Sequence, residues 1–409
     1  MPNCRFCNHP LEHEFVDLGM SPLCQTHITS ERLNAMEPFY PLRAYVCERC
    51  LLVQLEEFVA PGDIFTEYAY FSSYSDSWVD HARRYTELVA GRFGFGTGSL
   101  VVEIASNDGY LLQHFAAKGV PVLGIEPAVN VAEAAVAKGI RTVSRFFGRE
   151  AAAAIRREFG APDLLIGNNV LAHVPDINDF VGGMKLLLKA DGVITMEFPH
   201  LVQLMEQNQF DTIYHEHFSY LSFSTVRRIF SAHGLTLFDV EQLPTHGGSL
   251  RIYARHEAHA AGKVGARVSE LLDLEDSKGY GRLETYTGFG SRVRETKRAL
   301  LEFLIDAKNR GKKIVGYGAP GKGNTLLNYC GIRSDFLEFT VDRNPYKQGK
   351  FTPGTHIPIL APEQLMDARP DYVLILPWNL RDEITRSMAG IRAWGGKFVV
   401  PIPRVQVLD

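Results

Sequence analysis

The feature that most constrains the fold is a regular alternation of short apolar runs with helical segments, which occurs twice along the 409-residue chain. In the first series the apolar runs are 100–105, 120–125, 142–147, 164–167 and 193–198. Such alternation is typical of a doubly wound parallel sheet covered by helices. Two further apolar runs, 235–240 and 250–255, flank a short turn at 244–248. This spacing predicts that the last two strands pair antiparallel.

The second series begins after a charged helical stretch at 259–310. Its apolar runs are 313–318, 339–342, 372–376 and 397–400. A chain of this length is expected to hold two or three domains, at about 150 residues each. We therefore expect an N-terminal module at 1–75, a central α/β domain at 76–258, and a second α/β domain at 259–409 that includes the helical connector.

Four of the six cysteines form two Cys-x-x-Cys pairs, separated by 39 residues. Two such pairs can place four thiolates at the corners of a tetrahedron, which suits a closed structural zinc site. His9 and His13 are alternative ligands. A disulfide or a redox-active pair is the alternative function, but thioredoxin-type motifs come singly within a βαβ unit. The expected metal ligands are Cys4, Cys7, Cys47 and Cys50.

The charge balance argues against several classes of partner. The chain carries 43 Lys and Arg against 47 Asp and Glu, for a net charge of −4. A surface for nucleic acid or an anionic membrane would need an excess of positive charge. No apolar run approaches the ~20 residues of a membrane helix, and the N-terminus lacks a signal-peptide core. We expect a cytoplasmic protein that binds neither nucleic acid nor membrane.

The turn after the first strand of the central domain is built from small and polar residues. The strand carries Glu103 and continues into Ala105-Ser106-Asn107-Asp108-Gly109. A turn of this kind lets the backbone approach a ligand closely. Glu126, 17 positions after Gly109 at the tip of the second strand, fits the hydroxyls of a ribose. The turn lacks the Gly-x-Gly-x-x-Gly pattern that would hold a dinucleotide pyrophosphate.

This combination resembles the class I methyltransferases, which bind S-adenosylmethionine. The resemblance implies that the first turn holds the amino-acid part of this cofactor and that Glu126 holds its ribose. Ala105 stands where the family usually has glycine. Phe147, near the tip of the third strand, flanks the adenine or belongs to the ordinary core. The expected cofactor contacts are Glu103, Ala105, Asn107, Asp108, Gly109, Glu126, Pro127, Phe147 and Asn169.

Two polar clusters follow later strands, at 168–173 and at 214–220. The carboxyl ends of parallel strands are where a doubly wound sheet presents its chemistry. His215-Glu216-His217 is not a metalloprotease motif, since Ser219 stands where the second histidine would be required. The two histidines could ligate a metal, but no supporting carboxylate or cysteine cluster lies near them in the sequence. A histidine beside a carboxylate is a candidate general base.

Over nearly its whole length the sequence resembles the nucleotide-sugar C-methyltransferases of the C-3 type, which act on 4-keto-6-deoxyhexoses. The matching stretches are the two cysteine pairs, 103–109, 214–218, 246–251 and 316–319. The resemblance implies a small zinc-binding N-terminal domain and a class I methyltransferase Rossmann-like central domain. It also implies a second, C-terminal Rossmann-like α/β domain that helps to hold the nucleotide-sugar, and a monomer.

The chemistry implied by the resemblance is methyl transfer to carbon. A sugar carbon becomes nucleophilic only when a base removes its proton and a neighbouring carbonyl accepts the charge as an enolate. By similarity, His217 is the base and Glu216 orients or polarises it. Tyr70, His173 and Tyr214 match the family's active site and would bind the sugar hydroxyls or the enolate oxygen. The expected sugar-nucleotide contacts are His246, Gly247, Tyr317 and Lys322.

The second glycine-rich loop supports a rival function. Residues 316–321 fit Gly-x-Gly-x-x-Gly, and Asp342 lies 21 residues beyond Gly321. That pattern favours a nicotinamide-dependent sugar dehydrogenase or epimerase, although Pro320 and Lys322 crowd the loop. We interpret the loop as packing, or as a phosphate contact in which Lys322 is the charge partner. An O- or N-methyltransferase acting on sugars, and a non-catalytic binding protein, are further alternatives.

Overall fold

A computed structural model describes residues 2–60, 62, 71–260 and 264–408. The chain divides into two compact units. The first unit comprises Met1–Leu11, Cys47–His200 and Phe218–Arg282, and the second comprises Glu12–Val46, Leu201–His217 and Leu283–Asp409. Residues 12–46, expected in the N-terminal module, thus fall in the second unit. The boundaries of the three expected domains stay a prediction.

The strands, numbered in chain order, are β1 (His13–Ser21), β2 (Tyr40–Val46), β3 (Val53–Leu55), β4 (Val101–Ile104), β5 (Val122–Ile125), β6 (Thr142–Val143), β7 (Leu164–Asn168), β8 (Val193–Pro199), β9 (Ser219–Tyr220), β10 (Leu235–Leu243), β11 (Ser249–His256), β12 (Ile314–Tyr317), β13 (Thr340–Val341), β14 (Ile359–Leu360), β15 (Tyr372–Ile375), β16 (Lys397–Val400) and β17 (Gln406–Leu408).

The α-helices are α1 (Asp76–Phe93), α2 (Leu112–Ala116), α3 (Val129–Ala137), α4 (Arg149–Phe159), α5 (Ile177–Leu187), α6 (Leu201–Glu206), α7 (Phe223–Ala232), α8 (Ala266–Ser277), α9 (Leu283–Thr287), α10 (Phe289–Asn309), α11 (Gly321–Cys330), α12 (Glu363–Ala368) and α13 (Arg381–Ser387). None of the helices in the described part of the chain combines the length and the apolar character needed to cross a membrane.

The first unit is built on a seven-stranded sheet in the order β10-β11-β8-β7-β4-β5-β6. The strands from β8 to β6 run parallel, whereas β10 and β11 pair antiparallel. The predicted doubly wound sheet and antiparallel closing pair are therefore confirmed. The third strand is shorter than the expected 142–147, because β6 is an edge strand that bonds only β5 before residues 144–146 become exposed.

Helix α1 closes one face of this sheet. It begins after Ser75, whose hydroxyl accepts the amide N–H of Trp78, and it ends at Gly94 with a positive φ of 71°. Its buried side chains, Tyr85 and Val89 among them, join a core that includes Val101 of β4. Burial of one side chain the size of valine contributes about 1.5–3 kcal/mol. This packing places the carboxyl ends of the parallel strands next to the start of α1.

The second unit contains a six-stranded sheet in the order β14-β13-β12-β15-β16-β17. All its neighbouring strands are parallel except the pair β16 and β17. The second α/β series of the sequence is thereby confirmed as a separate sheet. The N-terminal hairpin of β1 and β2 belongs to this unit, where Phe15 of β1 stacks on Phe289 of α10 with ring centroids 4.6 Å apart.

Candidate active site

The two cysteine pairs come together in the first unit. The Sγ atoms of Cys4 and Cys50 are 3.5 Å apart, as are those of Cys7 and Cys47. All four sulfurs lie within 4.8 Å of one another. A tetrahedral zinc ion with Zn–S bonds of about 2.3 Å needs sulfurs about 3.8 Å apart, so the donor set fits this metal. His9 instead bonds Glu48 at 2.8 Å.

The backbone shapes both cysteine pairs in the same way. The amide N–H of Asn8 donates to the carbonyl of Cys4, and that of Leu51 donates to the carbonyl of Cys47. Asn8 and Leu51 have φ values of 59° and 60°, in the left-handed region. Each turn thus points two thiols to one side. Gln54 supports the cluster, since its Nε2 donates to Cys4 Sγ at 3.2 Å.

The turn after β4 has an unusual backbone. Ala105, Asn107 and Gly109 have φ values of 55°, 50° and 77°. Gly109 is required at its position, because a Cβ there would lie 2.9 Å from Cγ1 of Ile140. Ala105 adopts a conformation that favours glycine, so the substitution seen in the sequence has a cost in backbone energy. Left-handed residues at alternate positions turn amide groups toward one point, which suits a ligand bound against backbone.

Glu126, at the tip of β5, holds this turn in place. Its Oε2 accepts the amide N–H of Asn107 at 2.9 Å, and its Oε1 accepts that of Ala128 at the same distance. Burial raises the pKa of Glu126, and these two amide bonds oppose the shift. The remaining lone pairs of the carboxylate are the acceptors that a ribose would use.

The end of the sheet carries acceptors that have no hydrogen-bond partner in the part of the chain that the structure describes. Both carboxyl oxygens of Glu103 are buried and have no partner among the described residues. The same holds for Asp108 Oδ1, Asn168 Oδ1 and Asn169 Oδ1. Buried polar groups are normally hydrogen-bonded, so orphaned acceptors on neighbouring strands indicate a ligand with several donors. S-adenosylmethionine carries an ammonium group and two ribose hydroxyls, and this set of residues fits it.

Replacing Glu103 with glutamine should flatten the pH dependence of stability in the ligand-free protein. Burial, with the Glu126 and Asp108 carboxylates, raises the pKa of Glu103 well above its usual range. The folded chain keeps a proton that the unfolded chain releases above about pH 4.3, so stability falls as pH rises from there. As pH rises from about 5 to about 8, the melting temperature of wild type should therefore fall more than that of Glu103→Gln. Thermal unfolding at a series of pH values measures this difference in melting temperature. If melting temperature depended on pH equally in wild type and Glu103→Gln, as we expect for a substitution at the exposed Glu87, Glu87→Gln, the prediction would be wrong.

Asn169 and His246 lie together at the ends of β7 and β10. The Nδ2 of Asn169 is 3.2 Å from His246 Nε2. Asn169 has a φ of 53° and donates its amide N–H to the carbonyl of Glu197 at 2.7 Å. His246, with a φ of 54°, packs its ring edge against Trp78 at 5.1 Å. The expected cofactor residue Asn169 thus contacts the expected sugar residue His246.

A buried charge network beneath this contact was missed by the sequence predictions. Glu197 Oε2 bonds His81 Nε2 at 2.9 Å and Arg251 Nη2 at 2.8 Å, while Oε1 accepts from Thr245. Burial acts to raise the pKa of Glu197, but His81 and Arg251 hold it below its usual range. The sequence signal for this network is an acid, Glu197, within the mainly apolar strand β8. By bonding Thr245, Glu197 fixes the turn that carries His246.

The first four residues of the 214–220 cluster, 214–217, belong to the second unit. The Nδ1 of His217 is 2.9 Å from the carbonyl oxygen of Thr212. A carbonyl can only accept, so Nδ1 carries the proton in neutral His217 and Nε2 carries the lone pair. The ring of Tyr214 packs on that of His217 with centroids 4.1 Å apart. A histidine held in this tautomer is prepared to accept a proton at Nε2.

Glu216 and His215 point in different directions from the same segment. The buried Cys24 thiol donates to Glu216 Oε1 at 3.5 Å. Burial, and then the Glu216 carboxylate, raise the pKa of Cys24 well above its usual range, so it remains a thiol. His215 bonds the carbonyl of Pro41 at 3.2 Å, and burial lowers its pKa. Within the described ranges, the four cysteines form the one cluster of potential metal ligands. His215 and His217 therefore do not form a metal site there.

The remaining predicted residues occupy separate places. His173 ends a short 3-10 turn after β7, Phe147 packs edge-on against Phe180, and the carbonyl of Pro127 accepts from Ser144. Gly247 follows His246 with a φ of 89°. Tyr317 is buried at the end of β12, where burial raises its pKa. Lys322 donates to Asn379 Oδ1 at 2.8 Å. Tyr70 lies outside the described residues.

Three family models match successive parts of the chain. They are "Putative zinc binding domain" over residues 4–65, "Methyltransferase domain" over 78–240 and "C-methyltransferase C-terminal domain" over 244–403. The C-methyltransferase NovU of Streptomyces niveus is 38% identical over 406 residues, covering 99% of this chain and 96% of NovU. The four-cysteine cluster is therefore a zinc site, and the central domain is a class I methyltransferase domain that uses S-adenosylmethionine.

More distant matches come from solved structures. Magnesium protoporphyrin IX methyltransferase from Synechocystis, with bound S-adenosylmethionine, is 17% identical with a TM-score of 0.32. That match covers 44% of this chain and 77% of the other. An S-adenosylmethionine-dependent methyltransferase from Mesorhizobium loti is 15% identical with a TM-score of 0.35, over 44% of this chain and 100% of the other. Similarity at these values does not by itself establish a shared fold.

Proposed function

This chain belongs to the C-methyltransferase family, and on that premise we propose that it methylates a carbon of a nucleotide-activated 4-keto-6-deoxyhexose. The observation that carries this proposal is the contact between His217 Nδ1 and the Thr212 carbonyl. It fixes the tautomer and the ring of a histidine on a buried segment that also carries Glu216 and Tyr214. Methylation of carbon, unlike that of a hydroxyl or amine, requires such a base to create the nucleophile.

The cofactor would be held by the end of the first sheet. The turn after β4, with Asn107, Asp108 and Gly109, would hold the amino-acid part, and Glu103 would support it. Glu126 would accept the ribose hydroxyls, while Phe147 and Pro127 would flank the adenine. When bound, S-adenosylmethionine supplies a methyl group activated by its sulfonium. Displacement at this methyl must be in line, so these residues act mainly by orienting the donor.

Proton removal is the step assigned to His217. Its Nε2 takes the proton from the sugar carbon beside the ketone, and the electrons pass to the carbonyl oxygen as an enolate. The Thr212 carbonyl keeps Nδ1 protonated throughout, which stabilises the imidazolium that forms. By resemblance, Glu216 would orient or polarise the base, and Tyr214 and His173 would each be candidates to bind the sugar hydroxyls or the charged oxygen. Tyr70 is assigned the same role by resemblance alone.

The sugar-nucleotide contacts complete the proposal. His246 and Gly247 would bind the sugar, since their turn is held by the Glu197 network. Tyr317 is kept as a nucleotide contact. By resemblance to the family we expect a monomer, with the nucleotide-sugar and S-adenosylmethionine as its partners in the cytoplasm.

Mass spectrometry with a panel of thymidine- and guanosine-diphosphate 4-ketosugars tests this function. With S-adenosylmethionine in deuterated water, one sugar should gain a single methyl group. Omitting the methyl donor should leave solvent deuterium at the carbon that would be methylated. Methylation of oxygen or nitrogen without deuterium exchange would instead indicate the O- or N-methyltransferase. Saturable NAD binding in calorimetry, without S-adenosylmethionine binding, would favour the dehydrogenase or epimerase.

A further inference from the structure

The glycine-rich loop of the second unit is engaged by the protein's own groups. The amide N–H of Ala319 donates to Asp342 Oδ2 at 2.8 Å, and Asp342 Oδ1 accepts the amide N–H of Asn344 at the same distance. The amino group of Lys347 donates to the Ala319 carbonyl at 2.9 Å. The acid that a dinucleotide would use thus bonds the loop itself. The role of the loop is better sought in what α11, the helix that follows it, contacts.

The first turn of α11 places Lys322 beside a buried acid. The Lys322 amino group lies 4.6 Å from the centroid of the Trp378 ring. The indole N–H of Trp378 donates to Asp211 Oδ2 at 2.7 Å. Asp211 is fully buried, and its Oδ1 has no hydrogen-bond partner within the described part of the chain. Lys322 and Asp211 thus contact the same Trp378 side chain, so a positive charge and a carboxyl that water cannot solvate are separated by one indole ring.

Asp211 sits in the short turn that holds the base. This 3-10 turn runs Phe210–Thr212, and the carbonyl of Thr212 is the group that accepts His217 Nδ1–H. The Thr212 hydroxyl donates to the Gln209 carbonyl at 2.8 Å. Any rotation of the turn that moved Asp211 would also move the carbonyl one residue away. The position of the His217 ring thus depends on the environment of Asp211.

Two further contacts join α11 to the same segment. The Thr325 hydroxyl is 3.3 Å from the Ile213 carbonyl. Asn324 donates its Nδ2 to the carbonyl of Cys24 at 2.6 Å, and the Cys24 thiol reaches Glu216. Residues at three positions of α11 therefore act on 211–216, directly or through one intermediary. This repeated contact makes α11 a support for the base-bearing segment.

We propose that Lys322 and Asp211, which meet through the Trp378 ring, are electrostatically coupled and that this coupling positions the turn 210–212, and through it the base His217, for proton removal. The inference rests on the proposed function, because it takes His217 as the base. Lys322 is then a positioning residue and not a phosphate contact. Burial raises the pKa of Asp211 to about 7 although Lys322 opposes the shift, and burial lowers the pKa of Lys322 although Asp211 opposes it. Each charge thus favours the ionised form of the other.

A double-mutant cycle on the full-length holoenzyme tests the pair. Lys322→Met and Asp211→Asn each leave one charge without its partner, whereas the double variant leaves neither. Asparagine retains the acceptor that Trp378 needs. We expect each single variant to lower kcat and the rate of solvent deuterium exchange into the accepted ketosugar about 10- to 100-fold. KM and the calorimetric Kd of the matching nucleoside diphosphate should stay within about twofold, because neither residue would touch the substrate.

The double variant separates positioning from other roles. Its deuterium-exchange rate should be higher than the rate obtained by multiplying the fold-reductions of the two single variants. Lys322→Arg, which keeps the positive charge, should retain most of the wild-type exchange rate. Lys312→Met, which breaks a half-buried surface pair with Asp371 at 2.8 Å, should match wild type. If the singles fail to fold, a folded and active double variant supports the pair.

Several outcomes would overturn the inference. One is an unchanged deuterium-exchange rate in both single variants, and another is that the two substitutions lower the rate independently of each other. A third is a double variant that is no more stable or active than the single variants. Weaker nucleoside-diphosphate binding by Lys322→Met at unchanged kcat would show a phosphate contact instead. Retained exchange in His217→Ala would refute the proposed base itself, and that result is separate from all of these.

Discussion

The His217→Ala variant should lose deuterium exchange into the accepted ketosugar and methyl transfer together, each by about 10²- to 10⁴-fold. The reason is that the Thr212 carbonyl holds His217 in the tautomer that carries its proton on Nδ1, so that Nε2 is the proton acceptor in the proposed mechanism. Without that nitrogen, no enolate forms and no carbon nucleophile arises. Exchange is the decisive readout, because it reports proton removal before any methyl group moves. Proton NMR or mass spectrometry of the recovered sugar measures it.

The neighbouring histidine provides a matched control. His215 bonds the Pro41 carbonyl and packs against Tyr40, away from the Thr212 contact. His215→Ala should retain exchange to within about tenfold, with any loss following its stability. S-adenosylmethionine affinity should be unchanged in His217→Ala, since the proposed cofactor residues belong to the first unit. Undiminished exchange in His217→Ala would assign the base to another residue.

Much of the fold could be predicted because hydrophobic periodicity reports burial directly. The runs that became β4, β5, β7 and β8 are buried at almost every position, as in any sheet covered on both faces. The end of the third strand, β6, could not be predicted from the sequence. As an edge strand, β6 ends where its only neighbour, β5, stops bonding to it. The pattern there continues through Phe146, which the structure leaves exposed.

The candidate site could be predicted only as far as local sequence determines it. The turn 105–109 depends on its own residues, and its left-handed positions agree with a close ligand approach. Whether His215 or His217 faces a useful partner depends on Pro41 and on Thr212, and no local pattern shows such a choice. The hydrogen bond between Trp378 and Asp211 joins positions 167 residues apart. Contacts of this kind follow from the packing of the chain and have no sequence period.

Removing zinc should unfold the N-terminal module and lower the melting temperature of the whole chain. The four thiolates are held within 4.8 Å of one another, a distance at which their charges repel unless a cation lies between them. Structural zinc sites of this kind bind with about 10–16 kcal/mol, and binding is coupled to folding. Chelation should release one zinc per chain, measured by a colorimetric indicator, and calorimetry should show the loss of stability.

The contacts between the zinc-binding module and the methyltransferase domain determine how much of the chain is destabilised when zinc is removed. The Cys50 carbonyl accepts from Arg228 of α7, and Asn178 of α5 donates to the carbonyls of Arg5 and Phe6. Disorder of the cysteine turns therefore removes bonds that tie two helices of the methyltransferase domain. Cys50→Ser should bind zinc weakly and melt early, whereas Cys330→Ser, a change at a buried cysteine outside the cluster, should keep a full equivalent of zinc. A verified metal-free wild type with unchanged melting would refute the structural role of zinc, because thiols without a metal offer no comparable attraction.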